Sequence, residues 1–220
     1  MANIKCKILI TGLPYKTDIG GFGYSSVTLL SDGKDNILFD VGHYAVRREI
    51  IGIIKKYRIT MVFLSHLHYD HCLNADLFQR AGIKLYLNRK EWKYLDKIRL
   101  DDIYTFRLFR KMIRRDSLVL FDGDFDITEN IRVVETIGHT VGHSSLVFNK
   151  NGSKYIVAGD AIKTPRDLAG VEPDISPYDL KMFRKTRQYI IDSYDIIIPG
   201  HANIIKQGIP SRNDIKLKRF

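Results

Sequence analysis

The sequence has little of what marks a secreted or membrane-bound protein. Its 220 residues include only two cysteines, Cys6 and Cys72, which lie far apart and do not form a disulfide framework. No apolar run approaches the length of a membrane span. The first residues, Met1–Lys7, lack the basic-then-apolar pattern of a secretory signal. We therefore expect a cytoplasmic protein that has no membrane partner.

Short tandem repeats and low-complexity tracts are also missing, which argues against a solenoid and against disorder. Hydrophobic residues make up 45% of the chain, enough for one full-sized core, so we expect a single domain over residues 1–220. Short apolar runs alternate with stretches of helical period, which predicts an α/β fold. Both halves run from strands to helices, an order that favours two sheets packed face to face with helices outside.

The net charge of +10 favours anionic partners. Positive charge is concentrated on one stripe of a helix predicted over 101–115 and near the end of the chain. The basic residues are Arg107, Arg110, Lys111 and Arg114 in the first stretch and Lys216, Lys218 and Arg219 in the second. Because such a stripe is usually the solvated face of a helix, we expect a small anionic substrate and keep nucleic acid as a second hypothesis.

One stretch, residues 61–71, carries most of the recognisable chemistry. A buried strand is predicted at Met61–Leu64, and three of the chain's seven histidines follow it within six positions. If the backbone stays extended, His66 and His68 point to the same side, while Asp70 and His71 follow on a turn. Burying these groups unpaired would be costly. Imidazole and carboxylate groups are ligands for zinc, iron or manganese, so this stretch predicts a metal site.

Three later strand ends carry a potential metal ligand beside a glycine. They are Gly138-His139-Thr140-Val141-Gly142-His143 after a strand predicted at 131–136, Gly159-Asp160 at the end of 154–159, and Gly200-His201 after 195–198. Glycine permits close approach of the backbone at such ends. We therefore expect four strand ends to converge on one edge of the packed sheets.

Other residues are candidates for supporting the ligands or contacting substrate. Asp40 ends a strand predicted at 36–40 and is a candidate to hold a metal ligand from behind. The glycine-rich hairpin turn at 18–24 carries Phe22 and Tyr24, and it is either an apolar flap over a pocket or a plain β-turn. Cys72 is interpreted as a small buried apolar residue.

The run His66-Leu67-His68-Tyr69-Asp70-His71, followed by His139, Asp160 and His201, resembles the metallo-β-lactamase superfamily over essentially the whole chain. The resemblance implies an αβ/βα four-layer sandwich with two divalent metal ions, zinc or else iron or manganese, at the shared edge of the sheets. It also implies a ligand set. One ion takes His66, His68 and His139, the other takes Asp70, His71 and His201, Asp160 bridges them, and His143 stands behind the ligands.

The resemblance further implies a hydrolase. Two metal ions acidify a shared water from a pKa of about 15.7 towards about 7, and the resulting hydroxide attacks the carbonyl of an ester, lactone or thioester. Asp70 is placed to pass a proton to the leaving atom. Asp70 and Asp160 are therefore the candidate catalytic residues.

Several branches of the superfamily remain as hypotheses. The length and motif spacing look most like the N-acyl homoserine lactonases, but these have a tyrosine three positions after the bridging aspartate, where this chain has Lys163. A lysine there is a candidate to bind a substrate carboxylate. Alternatives are a glyoxalase II-like thioesterase, a sulfur dioxygenase-like enzyme with one iron, an RNA or phosphodiester hydrolase, and a binding protein without turnover. A dimer is compatible with each.

Overall fold

Two six-stranded mixed sheets form the centre of the fold in the computed structural model, which describes residues 4–17, 20–21, 23–95, 97, 108–173 and 177–206. The first sheet has the order β1 (Lys5–Ile10), β4 (Val27–Ser31), β5 (Asn36–Phe39), β6 (Met61–Leu64), β7 (Lys84–Asn88) and β8 (Leu118–Phe121). The second has the order β14 (Ile205–Lys206), β13 (Ile196–Pro199), β12 (Ser153–Gly159), β11 (Ser144–Lys150), β10 (Arg132–Glu135) and β9 (Phe125–Asp126). A separate ribbon pairs β2 (Lys16–Thr17) with β3 (Gly20–Gly21).

Within the described residues, the helices are short except for the first and the last. They are α1 (Arg47–Lys56), α2 (Tyr69–Cys72), α3 (Ala75–Arg80), α4 (Arg89–Tyr94), α5 (Arg110–Met112), α6 (Pro165–Leu168) and α7 (Leu180–Ser193). In the part of the chain that the structure describes, single 3-10 turns lie at Tyr44–Val46, Arg115–Ser117 and Asp160–Ile162. Among the residues that the structure describes, no helix has the length and apolar character needed to cross a membrane.

The space between the two sheets is filled by aliphatic side chains together with a group of stacked phenylalanines. Phe63 stacks on Phe39 with ring centroids 5.6 Å apart and on Phe121 with centroids 5.7 Å apart. Burial of one such ring contributes about 1.5–3 kcal/mol. Phe39 and Phe63 are partners in the parallel register of β5 and β6. Their stacking therefore holds the ends of these two strands side by side. The ends of β5 and β6 carry Asp40 and the first histidines.

Helices cover the outer face of each sheet, because strand residues alternate between the inner and outer apolar clusters. Val62 and Leu64 of β6 pack outward with Ile50 and Ile53 of α1. On the second sheet, Ile197 packs with Ile190 of α7 and other residues. The layers therefore run helix, sheet, sheet, helix, which confirms the predicted αβ/βα sandwich.

Some sequence-based expectations were wrong in detail. The helix predicted over 101–115 ends at Met112, because Ile113 is extended and buried in the core, and residues 101–107 lie outside the described residues. Asp70 and His71 lie on a turn as predicted, and that turn is the short helix α2. The short elements β9 and α6 were not predicted. Cys72 is buried in the outer core as expected. The basic end of the chain lies outside the described residues.

Candidate metal centre

Three imidazoles from two loops converge at one edge of the sheets. His66 and His68 follow β6, and His66 Nε2 lies 2.9 Å from His68 Nδ1. His139 comes from the β10–β11 connection, and its Nε2 lies 3.0 Å from the same His68 nitrogen. Gly138 lets this loop approach α7, because a Cβ there would overlap the backbone of Phe183. These three histidines are called the three-imidazole group below.

A second set of ligand-type side chains lies next to the first. His201, after β13, has its Nε2 3.3 Å from Asp70 Oδ2, and His71 has its Nε2 3.8 Å from the same oxygen. Asp70 and His71 come from α2, so the helical turn after the first two histidines redirects the chain to this second point. We call Asp70, His71 and His201 the mixed group.

Asp160 stands between the two groups and turns a different oxygen to each. Its Oδ1 lies 3.3 Å from His71 Nε2 and 3.3 Å from His201 Nε2. Its Oδ2 lies 3.4 Å from His139 Nε2. Gly200 makes room for this carboxylate, because a Cβ at Gly200 would overlap Asp160 Oδ1.

Asp40 connects the two groups from behind through a chain of hydrogen bonds. Its Oδ1 accepts from the Ser65 N–H at 2.8 Å, and its Oδ2 accepts from the Ser65 hydroxyl at 2.8 Å. The same Oδ2 lies 2.7 Å from His71 Nδ1, and the Ser65 Oγ lies 2.9 Å from His66 Nδ1. With protons on the two Nδ1 atoms, the Nε2 lone pairs of His66 and His71 face the site. Asp40 adopts φ = 58°, a left-handed backbone that aspartate tolerates better than most residues.

His143 has both ring nitrogens engaged behind Asp160. Its Nδ1 lies 2.8 Å from the Thr136 hydroxyl, and its Nε2 accepts a hydrogen bond from the Asp160 backbone N–H at 3.1 Å. Burial lowers the pKa of His143 to about 3, so the ring is neutral and its Nε2 can act as this acceptor. The structure therefore positions His143 to hold Asp160, whereas His139 brings its Nε2 to 3.0 Å from His68 Nδ1.

The buried carboxylates of this site need a positive charge to compensate them. Burial lowers the pKa of His66 and of His139 well below the usual histidine value, which leaves neutral rings with lone pairs to offer. In the mixed group, burial also lowers the pKa of His71, but the carboxylates of Asp160, Asp70 and Asp40 outweigh it and raise the pKa well above the ordinary value. Such a buried set is stable when a proton or a metal ion supplies the positive charge.

The donor atoms themselves fit metal ions. Within the described part of the chain, the buried side-chain atoms that have no hydrogen-bond partner include His71 Nε2, His201 Nε2 and Asp160 Oδ1. Buried polar atoms are nearly always satisfied, so three orphans that face one another indicate that something else completes them. Imidazole nitrogen and carboxylate oxygen at this spacing suit zinc and related divalent ions.

The remaining predicted contact residues lie at different distances from the centre. Lys163 follows Asp160 by one turn and has its Nζ 3.4 Å from Asp160 Oδ2 with a third of its side chain exposed. Tyr24 is half-buried and packs against the outer core, one residue before Ser25, whose N–H donates to the Asp70 carbonyl. Phe22 lies outside the described residues.

Sequence reasoning missed Glu91, a fully buried carboxylate on α4 that bonds to both histidine loops. A signal was present. Glu91 lies about one helical turn before Leu95, which is fully buried, so it falls on the core-facing side of a short helix, where an apolar residue is expected.

Comparison with known proteins settles the family. The sequence model of the metallo-beta-lactamase superfamily matches residues 20–201. The chain belongs to the metallo-beta-lactamase superfamily. The resemblance seen in the histidine and aspartate motifs is thereby confirmed, and so is the fold that it implied.

Individual relatives in this superfamily are distant. A probable metallo-hydrolase of Methanocaldococcus jannaschii is 26% identical over 67% of this chain and 59% of its own length. Ribonuclease Z of Chlamydia trachomatis is 30% identical over 50% of this chain and 40% of its own length. Metallo-beta-lactamase domain-containing protein 1 of Xenopus laevis is 27% identical over 95% of this chain and 85% of its own length. The chain thus spans about half the length of the first two.

Solved structures of the superfamily share the fold with this chain. A probable metal-dependent hydrolase from Staphylococcus aureus superposes with a TM-score of 0.72, at 14% identity over 94% of this chain and 93% of that one. A quorum-quenching N-acyl homoserine lactone hydrolase superposes with a TM-score of 0.68, at 17% identity over 91% of this chain and 93% of that one.

Proposed function

We propose that this chain is a metal-dependent hydrolase that holds two divalent ions, with zinc the best fit to its nitrogen and oxygen ligands. The three-imidazole group takes one ion, the mixed group takes the other, and Asp160 bridges them. The observation that carries this proposal is that the two oxygens of the Asp160 carboxylate face different ligand groups. Its Oδ1 faces His71 and His201, and its Oδ2 faces His139.

The chemistry expected of this site is attack of water on a carbonyl carbon. When bound, two divalent ions polarise the substrate carbonyl and lower the pKa of water to about 7. Asp70 is the carboxylate of the mixed group, and although burial raises its pKa, His71 and His201 bring it below the ordinary range, so it is ionised. We assign to Asp70 the transfer of a proton from the attacking water to the leaving oxygen or sulfur.

Lys163 directs the choice of substrate towards anions. Burial lowers its pKa, but the carboxylates of Asp160 and Asp70 outweigh this and raise the pKa, so the ammonium stays charged. It is partly exposed beside Asp160, where it can meet a substrate carboxylate next to the scissile bond. A tyrosine cannot supply this charge, so we expect a lactone, ester or thioester that carries a negative group.

The similarity to N-acyl homoserine lactone hydrolases in fold supports a carbonyl substrate as the first candidate. Hydrolysis of a phosphodiester is the second candidate. It is favoured by the net charge of +10 and by the partial similarity to ribonuclease Z. The two candidates use the same ligands and differ in what the surrounding surface binds.

A substrate panel on the zinc-reconstituted protein tests the proposal. Lactones, thioesters, simple esters and a phosphodiester are compared, each carbonyl substrate in an anionic and a neutral form. We expect turnover of one carbonyl class, with the anionic form preferred, and a large loss of kcat in Asp70→Asn. Asp76→Asn is the control. This buried carboxylate accepts hydrogen bonds of 2.7 Å from Arg47 and, within the described part of the chain, none from the ligand loops. Metal-loaded protein that hydrolyses none of the panel contradicts the proposal.

A further inference from the structure

Glu91 joins the two loops of the three-imidazole group. It lies in the first turn of α4 and is fully buried. Its Oε2 accepts a hydrogen bond from the Leu67 N–H at 3.1 Å, and its Oε1 accepts one from the Gly142 N–H at 2.7 Å. Leu67 stands between two of the imidazoles in the chain, and Gly142 follows the third. One side chain therefore ties together the backbone segments that carry all three.

The start of α4 is itself fixed against both sheets. A Cβ at Gly142 would lie 3.0 Å from Asn88 Oδ1, the Glu91 nitrogen and Lys90 Cβ, so the helix contacts the loop backbone directly. Asn88, at the end of β7, accepts from the Lys90 N–H at 2.9 Å and donates to Glu135 Oε1 at 2.8 Å. Glu135 belongs to β10 of the other sheet. Glu91 thus reaches the two loops from a firmly held position.

A carboxylate is a costly choice for this position. Burial raises the pKa of Glu91, against the lowering effect of the Thr140 hydroxyl and of the two backbone amides. An apolar side chain would occupy this buried position without the desolvation cost of a charge. What an apolar residue cannot do is bind two backbone N–H groups from different loops at once.

We propose that Glu91 is a positioning residue that sets the spacing of His66, His68 and His139 and so the metal affinity of the three-imidazole group. This inference rests on the metal centre proposed above. The mixed group is held by other contacts. Asp40 lies 2.7 Å from His71 Nδ1, and the His201 N–H donates to the Lys163 carbonyl at 2.8 Å. A change at Glu91 therefore acts on one metal site of the two.

The variant Glu91→Gln isolates this role. Glutamine has nearly the same size, but only one of its two terminal atoms accepts a hydrogen bond, so its NH2 group must face one of the two N–H donors. We expect the affinity of the three-imidazole group for zinc to fall about 10- to 100-fold, the range seen for residues that orient metal ligands. Chelator competition gives the two affinities, and NMR of the cadmium-loaded protein gives a separate resonance for each site.

Asp76→Asn is the matched control, because Asp76 is also a buried carboxylate, 3% exposed, and it bonds to Arg47 rather than to a histidine loop. It should lower thermal stability and leave both zinc affinities unchanged. If Glu91→Gln does not fold, Glu91→Asp replaces it. Aspartate keeps the charge but is too short to reach both amides, so the same site should weaken.

The outcomes separate this inference from the proposed function. Wild-type protein that binds no metal overturns both. Wild-type protein with two bound ions, together with a glutamine variant of unchanged affinities, overturns the role of Glu91 alone. Equal weakening of both sites also overturns it, since Glu91 would then support the fold in general. Selective weakening of the three-imidazole site, with the cadmium resonance of the mixed group unmoved, is the result that we expect.

Discussion

The ammonium of Lys163 and the carboxylate of Asp160 lie 3.4 Å apart, and the oxygen concerned, Oδ2, is the one that faces His139. The lysine therefore stands at the three-imidazole side of the centre, one helical turn after the carboxylate that links both sides. Under the proposed function, a substrate anion drawn to Lys163 would lie next to the two ligand groups. Lys163 would then help to select the substrate without binding a metal ion itself.

Replacing Lys163 by methionine should weaken selection for anionic substrates. The variant keeps most of the side-chain volume and removes the charge. A hydrogen bond to a charged group contributes about 1.5–3 kcal/mol, so kcat/KM should fall roughly 10- to 150-fold for the anionic member of a substrate pair. The neutral member should change little. Lys181→Met, on the exposed face of α7, is the control. Equal losses on both substrates would show that Lys163 acts on Asp160 rather than on substrate.

Replacing Asp40 by asparagine should weaken the metal centre without disturbing the backbone. Asparagine tolerates the positive φ of this position, but its NH2 group takes the place of one of the two carboxylate oxygens and cannot accept the hydrogen bonds made there by Ser65 or His71. Zinc affinity is expected to fall about 10- to 100-fold, as measured by chelator competition. Asp32→Asn, in the β4–β5 turn, should have no such effect. Unchanged affinity in Asp40→Asn would mean that this network does not orient the ligands.

Two glycine-to-alanine variants should have opposite effects. A Cβ at Gly200 would overlap Asp160 Oδ1, so Gly200→Ala displaces the bridging carboxylate and should reduce metal content and activity. Gly52 lies within α1 with nothing within 4 Å of an added Cβ. Gly52→Ala should therefore raise the free energy of unfolding by about 0.5–1 kcal/mol. Thermal melts and metal analysis of both variants check the pair, and full metal content in Gly200→Ala would contradict it.

Removing metal should destabilise the fold. The buried carboxylates of Asp40, Asp70 and Asp160 lie at or behind the proposed metal centre, so loss of positive charge there would leave them less well compensated. A ligand present at a hundred times its Kd stabilises by about 2.7 kcal/mol. Calorimetry with a chelator should show a lower Tm, restored by added zinc. An unchanged Tm would indicate that folding and metal binding are not linked.

The histidine and aspartate motifs made most of the centre predictable, because their strand-end positions follow from local pattern. The two-residue spacing of His66 and His68 directly after β6 predicts that they point to the same side, and the glycines beside Asp160 and His201 indicate close backbone approach. The early end of the helix predicted at 101–115 depends on the docking of Ile113 in the core, which periodicity does not contain. The contacts of Glu91 join segments 24 and 51 residues away, so only the folded chain reveals them.

Elemental analysis of the purified and zinc-reconstituted protein tests the central claim most directly, since it gives the identity and number of metal ions per chain. Two divalent ions per chain, falling in variants of either ligand group, is the result that this account predicts. A single iron would contradict the two-ion hydrolase and favour oxygen-dependent chemistry of the sulfur dioxygenase type. No metal after reconstitution would show that the convergent histidines and aspartates are not a metal centre.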